Sequence, residues 1–394
     1  MTSTLLPGIT VPDLSADALA AVTAEIASHA GDSDRTGDVP LAGLQVAHRA
    51  GLLTATVDQQ YGGPGLGLAD TARILIALGE GDASVALLAA NNLMIHQMQA
   101  AVAHWPESAY ADLLQRGLAG PALANAIRAE PELGAPARGG VPTTTLTRTD
   151  DGWSLSGRKA YATGGAALAY HVVWAVVEEP GADAEHPRVG HVIVPADRPG
   201  ITWIPTWDHL GLRASNTHDV EYTDVRLPLD AFVEIPRGDD GVYRDPAAAA
   251  SIGSFGHPAL YLGVARAART AFVQYALDRV PTALGRPIAT TERIQTVAGE
   301  IDAQIAQAET LLFGALLRAE AGDASHLPQL SLIKVQIARS AIAAVNTAVA
   351  ALGNPGLTRH LPFERLLRDV LCVRVHPPQE DTALLAAGRR LLGQ

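Results

Sequence analysis

A stretch of short alternating runs lies between two alanine-rich helical regions, and this order limits the possible folds more than any other feature. From about Ser15 to Gly117, apolar residues recur at helical spacing. From about Leu118 to Phe232, Pro, Gly, Thr and Val become more frequent and strand-length runs alternate. From about Pro246 to Gly393 the helical pattern returns. The order predicts an α+β protein with a helical domain, a β domain and a helical bundle.

The domain boundaries follow from these changes in texture. A chain of 394 residues is long enough for two or three domains. We predict an N-terminal α-helical domain over residues 1–117, a central β domain, as a barrel or sandwich, over residues 118–240, and a C-terminal four-helix bundle over residues 241–394.

The individual elements are predicted from periodicity and breakers. In the first region we expect a helix over Ala69–Leu88 and then a continuation or a second helix over Val85–Ala103. The predicted strands are Val141–Thr149, Trp153–Leu155, His171–Val177, Gly190–Val194, Ile201–Ile204 and Val220–Tyr222. The predicted bundle helices are residues 257–278, 290–321, 328–352 and 362–392.

Composition and charge argue against several classes of partner. The chain has 29 Lys and Arg against 41 Asp and Glu, a net charge of −12, which disfavours a nucleic acid or an anionic membrane as a general partner. No apolar run reaches the ~20 residues of a membrane helix, and Met1–Leu14 does not resemble a signal peptide. Cys372 is the only cysteine, so no disulfide framework or multi-cysteine metal site is expected. A reducing, cytoplasmic setting is the default expectation. Only Lys159 and Lys334 are lysines, which we attribute to compositional bias.

Common catalytic motifs are missing from the sequence. There is no Gly-Lys-Ser/Thr phosphate loop, and the glycines of Gly62–Gly67 do not form a dinucleotide-binding fingerprint. The Gly-x-Ser-x-Gly elbow of hydrolases is also missing. No two of the 13 histidines are two, three or four residues apart, so we expect no metal site.

Four local motifs, in the same order along the chain, resemble those of acyl-CoA dehydrogenases. They are Gly51-Leu-Leu53 to Tyr61-Gly-Gly-Pro-Gly65 with Glu80 and Asp82-Ala-Ser84, Asp151-Gly-Trp153 through Gly157-Arg-Lys-Ala-Tyr-Ala-Thr-Gly-Gly165, Leu210-Gly-Leu-Arg-Ala-Ser215 to Tyr222-Thr-Asp-Val-Arg-Leu-Pro228, and Arg365-Leu-Leu-Arg-Asp369. The resemblance covers nearly the whole chain. It implies an acyl-CoA-dehydrogenase-like fold, a flavin between the β domain and the bundle, and a homotetramer.

The sequence departs from that family at the catalytic base. Acyl-CoA dehydrogenases use a carboxylate to remove the α proton of an acyl thioester. Counting from Arg368-Asp369, its position holds His376-Pro377-Pro378, and the alternative position in the first bundle helix is not filled either, because residues 246–277 contain no Asp or Glu. Glu380 would need a different loop to replace the base. Ordinary dehydrogenation is therefore disfavoured.

The sequence is closer to the flavin-dependent monooxygenases of the same fold, such as dibenzothiophene monooxygenases and amino-sugar hydroxylases. This resemblance implies that the protein receives reduced flavin from a separate reductase and forms a C4a-hydroperoxyflavin with O2. His376 looks like their C-terminal histidine, His96 like their N-terminal-domain histidine, and Asn125 like a polar residue near their flavin. A histidine that titrates near pH 7 could supply the proton that this oxygen chemistry needs.

The resemblance also suggests the residues that contact the cofactor. Thr163 takes the position that faces flavin N5 and O4, and Tyr161 takes that of an aromatic beside the isoalloxazine. Arg279 and Ser215 are candidates for the flavin phosphate. The match to the family's adenine-binding segment is loose, so reduced FMN is as plausible as FAD.

The sequence thus predicts a two-component flavin monooxygenase acting on a small organic substrate with O2. Two alternatives stay open. One is an acyl-CoA dehydrogenase or oxidase with a displaced base, and the other is a catalytically silent member that acts as a binding or scaffold protein.

Overall fold

The structure is a computed structural model that describes residues 8–133, 141–179, 186–239, 241–250 and 255–394. Its N-terminal part consists of helices. These helices are α1 (Ala16–Thr36), α2 (Leu41–Arg49), α3 (Leu68–Gly81), α4 (Ala83–Ala101) and α5 (Glu107–Ala119). The predicted helix Ala69–Leu88 is wrong as a single element, because Asp82 has extended backbone and its carboxylate caps α4 by accepting from the Ser84 N–H at 2.7 Å.

The described residues of the central region form one eight-stranded sheet. Its strands are β1 (Leu123–Ile127), β2 (Thr145–Arg148), β3 (Trp153–Ala162), β4 (Leu168–Glu178), β5 (Val189–Pro195), β6 (Ile201–Ile204), β7 (His218–Leu227) and β8 (Phe232–Glu234). The order is β6-β7-β3-β2-β4-β5-β8, and β1 also pairs with β4. Both β1 and β2 run parallel to β4, and the other pairs are antiparallel. The sequence did not predict β1 or β8, because one lacks polar alternation and the other has three residues.

The C-terminal region is helical again. Its helices are α6 (Gly256–Asp278), α7 (Glu292–Glu320), α8 (Leu330–Leu352), α9 (Asn354–Leu357), α10 (Phe363–Leu371) and α11 (Glu380–Leu392). The predicted continuous helix 362–392 is wrong: α10 and α11 are separated by a 3₁₀ turn, Cys372–Val375, and by the loop that holds His376. Pro377 and Pro378 in this loop have no N–H to donate, so the helix cannot continue through them.

One stretch, Leu327–Leu352, is long and apolar enough to cross a membrane by length and composition. Half of its most apolar window is buried inside the protein, and α8 packs against α6, α7 and α10. It therefore serves as a packed helix of the C-terminal domain in this structure.

Helices α3 and α6 join the two helical domains through a backbone contact. A Cβ atom added to Gly79 would lie 2.1 Å from the Leu260 carbonyl oxygen, and one added to Gly263 would lie 2.2 Å from the Ile76 carbonyl oxygen. Neither carbonyl can give way as a flexible side chain can. The absence of side chains at these glycines lets the two helices cross this closely.

We expect Gly263→Ala to lower the free energy of unfolding by about 3 kcal/mol, because the methyl group would push α3 and α6 apart. Urea denaturation measures the change. Gly299→Ala in α7 is the matched control, since a Cβ there meets nothing within 4 Å. The control should be as stable as the wild type or more stable by up to ~1 kcal/mol. Equal effects of the two variants would contradict the close crossing.

Candidate active site

Three of the predicted site residues meet beside the end of β3. The Asn125 side-chain amide donates to the Thr163 carbonyl oxygen at 2.9 Å. The Thr217 hydroxyl donates to the Thr163 hydroxyl at 3.1 Å, and it shares a 2.7 Å hydrogen bond with the Ser215 hydroxyl. We call Asn125, Thr163, Ser215 and Thr217 the Thr163 cluster. Because the Thr163 hydroxyl accepts from Thr217, its own proton is left to donate to a ligand.

The backbone around Thr163 is tightly constrained. Gly164 and Gly165 both have positive φ, 106° and 43°, and a Cβ on Gly165 would lie 1.9 Å from the Asn216 side-chain oxygen. The Gly164 N–H donates to the Ser215 carbonyl at 3.0 Å. This turn holds the loop before β7 against the end of β3, in a close contact that a side chain at Gly165 would not permit.

Tyr161 presents an exposed aromatic ring next to this turn. Its φ of 56° lies in the left-handed region, which is unusual for an aromatic residue. The side chain is 60% exposed and meets the His209 ring edge-on, with ring centroids 6.4 Å apart. His209 in turn stacks on Trp207 at 3.7 Å. An exposed aromatic surface beside a donor hydroxyl and a glycine turn suits a planar, hydrogen-bonding ring such as a flavin.

A buried ion pair, Glu130 with Lys159, stabilises the strand that leads to Thr163. Glu130 and Lys159 lie 2.7 Å apart with both side chains 0% exposed, and the Glu130 carboxylate also accepts from the Thr143 and Thr144 N–H groups. Burial by itself would raise the pKa of Glu130, but Lys159 and these donors outweigh it and lower the pKa to about 2. Burial lowers the pKa of Lys159 to about 8 although Glu130 opposes the shift. Lys159 is two residues before Tyr161, so the pair anchors the strand that carries Tyr161 and leads to Thr163.

A second polar group surrounds His376 on the loop between α10 and α11. The His376 Nε2 atom and the Tyr261 hydroxyl share a 2.8 Å hydrogen bond. The ring of His257 stacks on that of His376, with centroids 4.0 Å apart and planes within 5°. The Lys334 ammonium donates to the carbonyl oxygens of His376 and Pro378. We call His257, Tyr261, Lys334 and His376 the His376 cluster.

The electrostatics of this cluster correct one expectation. Burial, together with His257 and Lys334, holds the pKa of His376 well below its ordinary value, and burial and Lys334 lower the pKa of His257 to about 4. Burial also lowers the pKa of Lys334 to about 8. Both imidazole rings are therefore neutral at pH 7. His376 can pass a proton between its two ring nitrogens, but it is not the standing acid near pH 7 that the sequence suggested.

The other predicted residues lie elsewhere. His96 is buried in α4, where its Nδ1 atom and the Tyr110 hydroxyl share a 2.9 Å hydrogen bond, and burial lowers its pKa to about 4. Arg279 is exposed at the far end of α6 from His257, and α6 has 23 residues, a length of about 34 Å. Arg279 is thus distant from the His376 cluster of the same protomer.

Sequence reasoning missed four members of the two clusters as site residues: Thr217, His257, Tyr261 and Lys334. One signal was available for His257, because His257-Pro258 opens its helix just as His376-Pro377 opens its loop. No group of three or more His, Cys, Asp or Glu side chains that could hold a metal exists among the described residues.

Comparison with known proteins identifies the family. Three family models match: the acyl-CoA dehydrogenase N-terminal domain over residues 13–120, the middle domain over residues 126–225 and the C-terminal domain over residues 249–391. The chain belongs to the acyl-CoA dehydrogenase family, whose members are flavin-dependent oxidoreductases.

Individual relatives cover nearly its full length. A putative acyl-CoA dehydrogenase, YdbM of Bacillus subtilis (strain 168), is 30% identical over 91% of this chain and 92% of its own. L-evernosamine nitrososynthase of a Micromonospora species is 31% identical over 92% of this chain and 85% of its own. The solved structure of KijD3 with FMN and a dTDP-linked 3-amino-4-keto sugar has a TM-score of 0.78 and 27% identity, and covers 96% of this chain and 92% of that one.

Proposed function

We propose that the chain is a two-component monooxygenase that uses reduced flavin, FMN or FAD, and O2 to oxidise a small organic substrate. The observation that carries the proposal is the His376 cluster. Where the family's dehydrogenases place a carboxylate on the C-terminal loop, this chain has a neutral histidine bonded to Tyr261 and stacked on His257. Such a group can relay a proton but is a poor substitute for a carboxylate base that removes an α proton.

The Thr163 cluster and the aromatic surface of Tyr161 fit a flavin ring. When bound, reduced flavin supplies the electrons that activate O2. The Thr163 hydroxyl would be the donor that holds the ring, and Asn125 keeps the Thr163 backbone in place. Tyr161 would contact the ring with its exposed side chain and so shield it from water.

We assign the His376 cluster the role of holding and moving a proton during the oxidation. Lys334 fixes the backbone of the loop by binding its carbonyl oxygens. The Tyr261 hydroxyl and His376 Nε2 are joined by a hydrogen bond, so a proton can be delivered and then replaced without a charged imidazole in the resting state. His257 limits the ring of His376 to one orientation by stacking.

The dehydrogenase alternative depends on Glu380, and the contacts of that residue do not favour it. Glu380 is paired with Arg339, at 2.5 Å, and 42% of its side chain is exposed at the start of α11. Its carboxylate is thus held in an ion pair at the surface. A catalytically silent protein is the remaining alternative, since both clusters could persist without turnover.

We also propose a separate flavin reductase as electron donor, a cytoplasmic location and a homotetramer. The tetramer is supported by exposed apolar side chains on α11, among them Leu385, Leu391 and Leu392, which are 55–82% exposed. In such an assembly Arg279 would be available to the flavin phosphate of a neighbouring protomer, which fits its exposure.

Flavin binding and oxygen transfer test the proposal. The purified protein should bind reduced FMN or FAD under anaerobic conditions, and then, with ¹⁸O2 and a panel of amino sugars and aromatic substrates, transfer ¹⁸O to a product. Free reduced flavin without protein is the control. Bleaching of a bound oxidised flavin by acyl-CoA under anaerobic conditions, without ¹⁸O transfer, would overturn the proposal in favour of a dehydrogenase. Failure to bind flavin in either redox state would favour the silent protein.

A further inference from the structure

Four polar side chains that neither cluster uses meet where the sheet faces the end of α4. His104 follows α4, Arg128 follows β1, His191 lies in β5 and Asp245 lies in the segment between β8 and α6. We call them the Arg128 cluster. His104, His191 and Asp245 also border one cavity, whose other walls include Ile95 and Trp105.

The guanidinium of Arg128 is fixed by two neighbouring side chains, Trp174 and His191. It lies over the Trp174 ring at 5.5 Å, and one terminal nitrogen, Nη2, donates to His191 Nε2 at 2.7 Å. Its Nε atom is buried and has no acceptor among the described residues. A buried donor without a partner is costly, so a site that leaves one open points to a missing acceptor.

Asp245 occupies the middle of the cluster but fits it poorly. Its Oδ1 atom accepts from the Ala247 N–H at 2.9 Å. Its Oδ2 atom has no hydrogen bond to any of the residues that the structure describes, although it lies 3.5 Å from His191 Nδ1 and 3.8 Å from Arg128 Nη2. Because arginine only donates, His191 Nε2 must accept, and its proton is on the Nδ1 atom that faces Asp245. The donors therefore surround a space that is larger than the carboxylate of Asp245, which occupies it.

The cluster is open on one side. The side chains of Arg128 and His104 are 35% and 22% exposed, whereas those of His191 and Asp245 are 5% and 3% exposed. A solute can thus reach the guanidinium first and the buried histidine behind it. In a chain with a net charge of −12, an anion needs such a local concentration of donors to bind.

We propose that the Arg128 cluster is an anion-binding subsite in which Arg128, His191 and His104 hold the carboxylate or phosphate group of a small molecule, and in which Asp245 is an internal occupant that the ligand displaces. The shared chemistry is an oxyanion bound by a guanidinium. The source of the oxyanion is either the substrate or the phosphate of the flavin. The subsite does not depend on the reaction proposed above, because it can be measured without flavin or turnover.

Calorimetric titration with orthophosphate and pyrophosphate tests the subsite in three variants of the full chain. Asp245→Asn removes the competing charge with little change of shape, so it should bind pyrophosphate at least about ten-fold more tightly than the wild type. Arg128→Gln should bind at least about ten-fold more weakly than the wild type, and the double variant should lose the gain of Asp245→Asn. Arg35→Gln, at an arginine whose side chain is 71% exposed, is the matched control and should bind as the wild type does.

The outcomes decide between the parts of the proposal. Unchanged binding in Arg128→Gln, or no binding by any variant, would overturn the subsite. Equal affinities of Asp245→Asn and wild type would overturn the role of Asp245. Because Arg128→Gln could lose its fold, the thermal shift that pyrophosphate causes in Asp245→Asn is a second measurement, and its absence counts against the subsite. If Arg128→Gln weakens the binding of FMN but not that of riboflavin, the anion is the flavin phosphate. If it weakens the binding of neither flavin, the anion belongs to the substrate.

Discussion

Replacing Lys159 with methionine should lower the free energy of unfolding by about 3 to 5 kcal/mol. The substitution keeps the length of the side chain but leaves the carboxylate of Glu130 buried without its counter-charge, and breaking a buried pair from one side costs this much. Because the pair supports the strand that leads to Tyr161 and Thr163, flavin affinity should fall as well. Urea denaturation followed by circular dichroism gives the first quantity, and flavin titration gives the second.

Two further variants separate lost charge pairing from lost packing. Glu130→Gln combined with Lys159→Met removes both charges, so the double variant should be more stable than Lys159→Met alone. Arg35→Met breaks an ion pair whose side chains are 71% and 78% exposed and should change stability by no more than ~0.5 kcal/mol. If Lys159→Met is no worse than Arg35→Met, the buried pair contributes nothing beyond a surface pair.

Replacing His376 with alanine should reduce oxygenation of the substrate by about 10²- to 10⁴-fold, the usual contribution of a positioned proton-transfer group. Flavin binding should be nearly unchanged, because the contacts of His376 are with Tyr261, His257 and Lys334 and not with the Thr163 cluster. The measurement is the product formed per reduced flavin consumed. The yield of hydrogen peroxide should rise as the yield of product falls, because O2 is then reduced without transfer of oxygen to the substrate.

Tyr261→Phe tests the same proton path with a smaller change. It removes the hydroxyl that is hydrogen-bonded to His376 Nε2 and keeps the buried ring, so it should also lower the yield of product. His360→Ala, at an exposed histidine outside both clusters, should keep full activity. Full oxygenation by His376→Ala would remove this histidine from the mechanism.

The helical regions could be predicted from the sequence because their signals are local. Residues 257–278 were predicted as a helix and α6 spans Gly256–Asp278, since an apolar period and a following breaker mark it in the chain itself. Asp82 shows the limit of this reasoning. The apolar period continues across it, and only the capping bond to Ser84 reveals that one predicted helix is two.

The candidate site was predictable where it rests on one strand and its neighbours. Asn125, Thr163 and Ser215 meet because β1, β3 and the loop before β7 converge there. The partners of His376 come from α6 and α8, more than 40 residues away along the chain, and no local pattern reports such a contact. The rarity of lysine, which we attributed to compositional bias, was a further indication of the site. In a chain that uses arginine at the surface, Lys159 and Lys334 are 0% and 3% exposed, and both hold elements of the site.

The glycine crossing of α3 and α6 has a consequence for how the protein can move. Shear between packed helices works by small rotamer changes of interlocked side chains, and at Gly79 and Gly263 no side chains are present to adjust. We therefore expect little sliding between the N-terminal and C-terminal helices at this crossing. Admission of a substrate would then depend on rearrangement of the loops between sheet and helices.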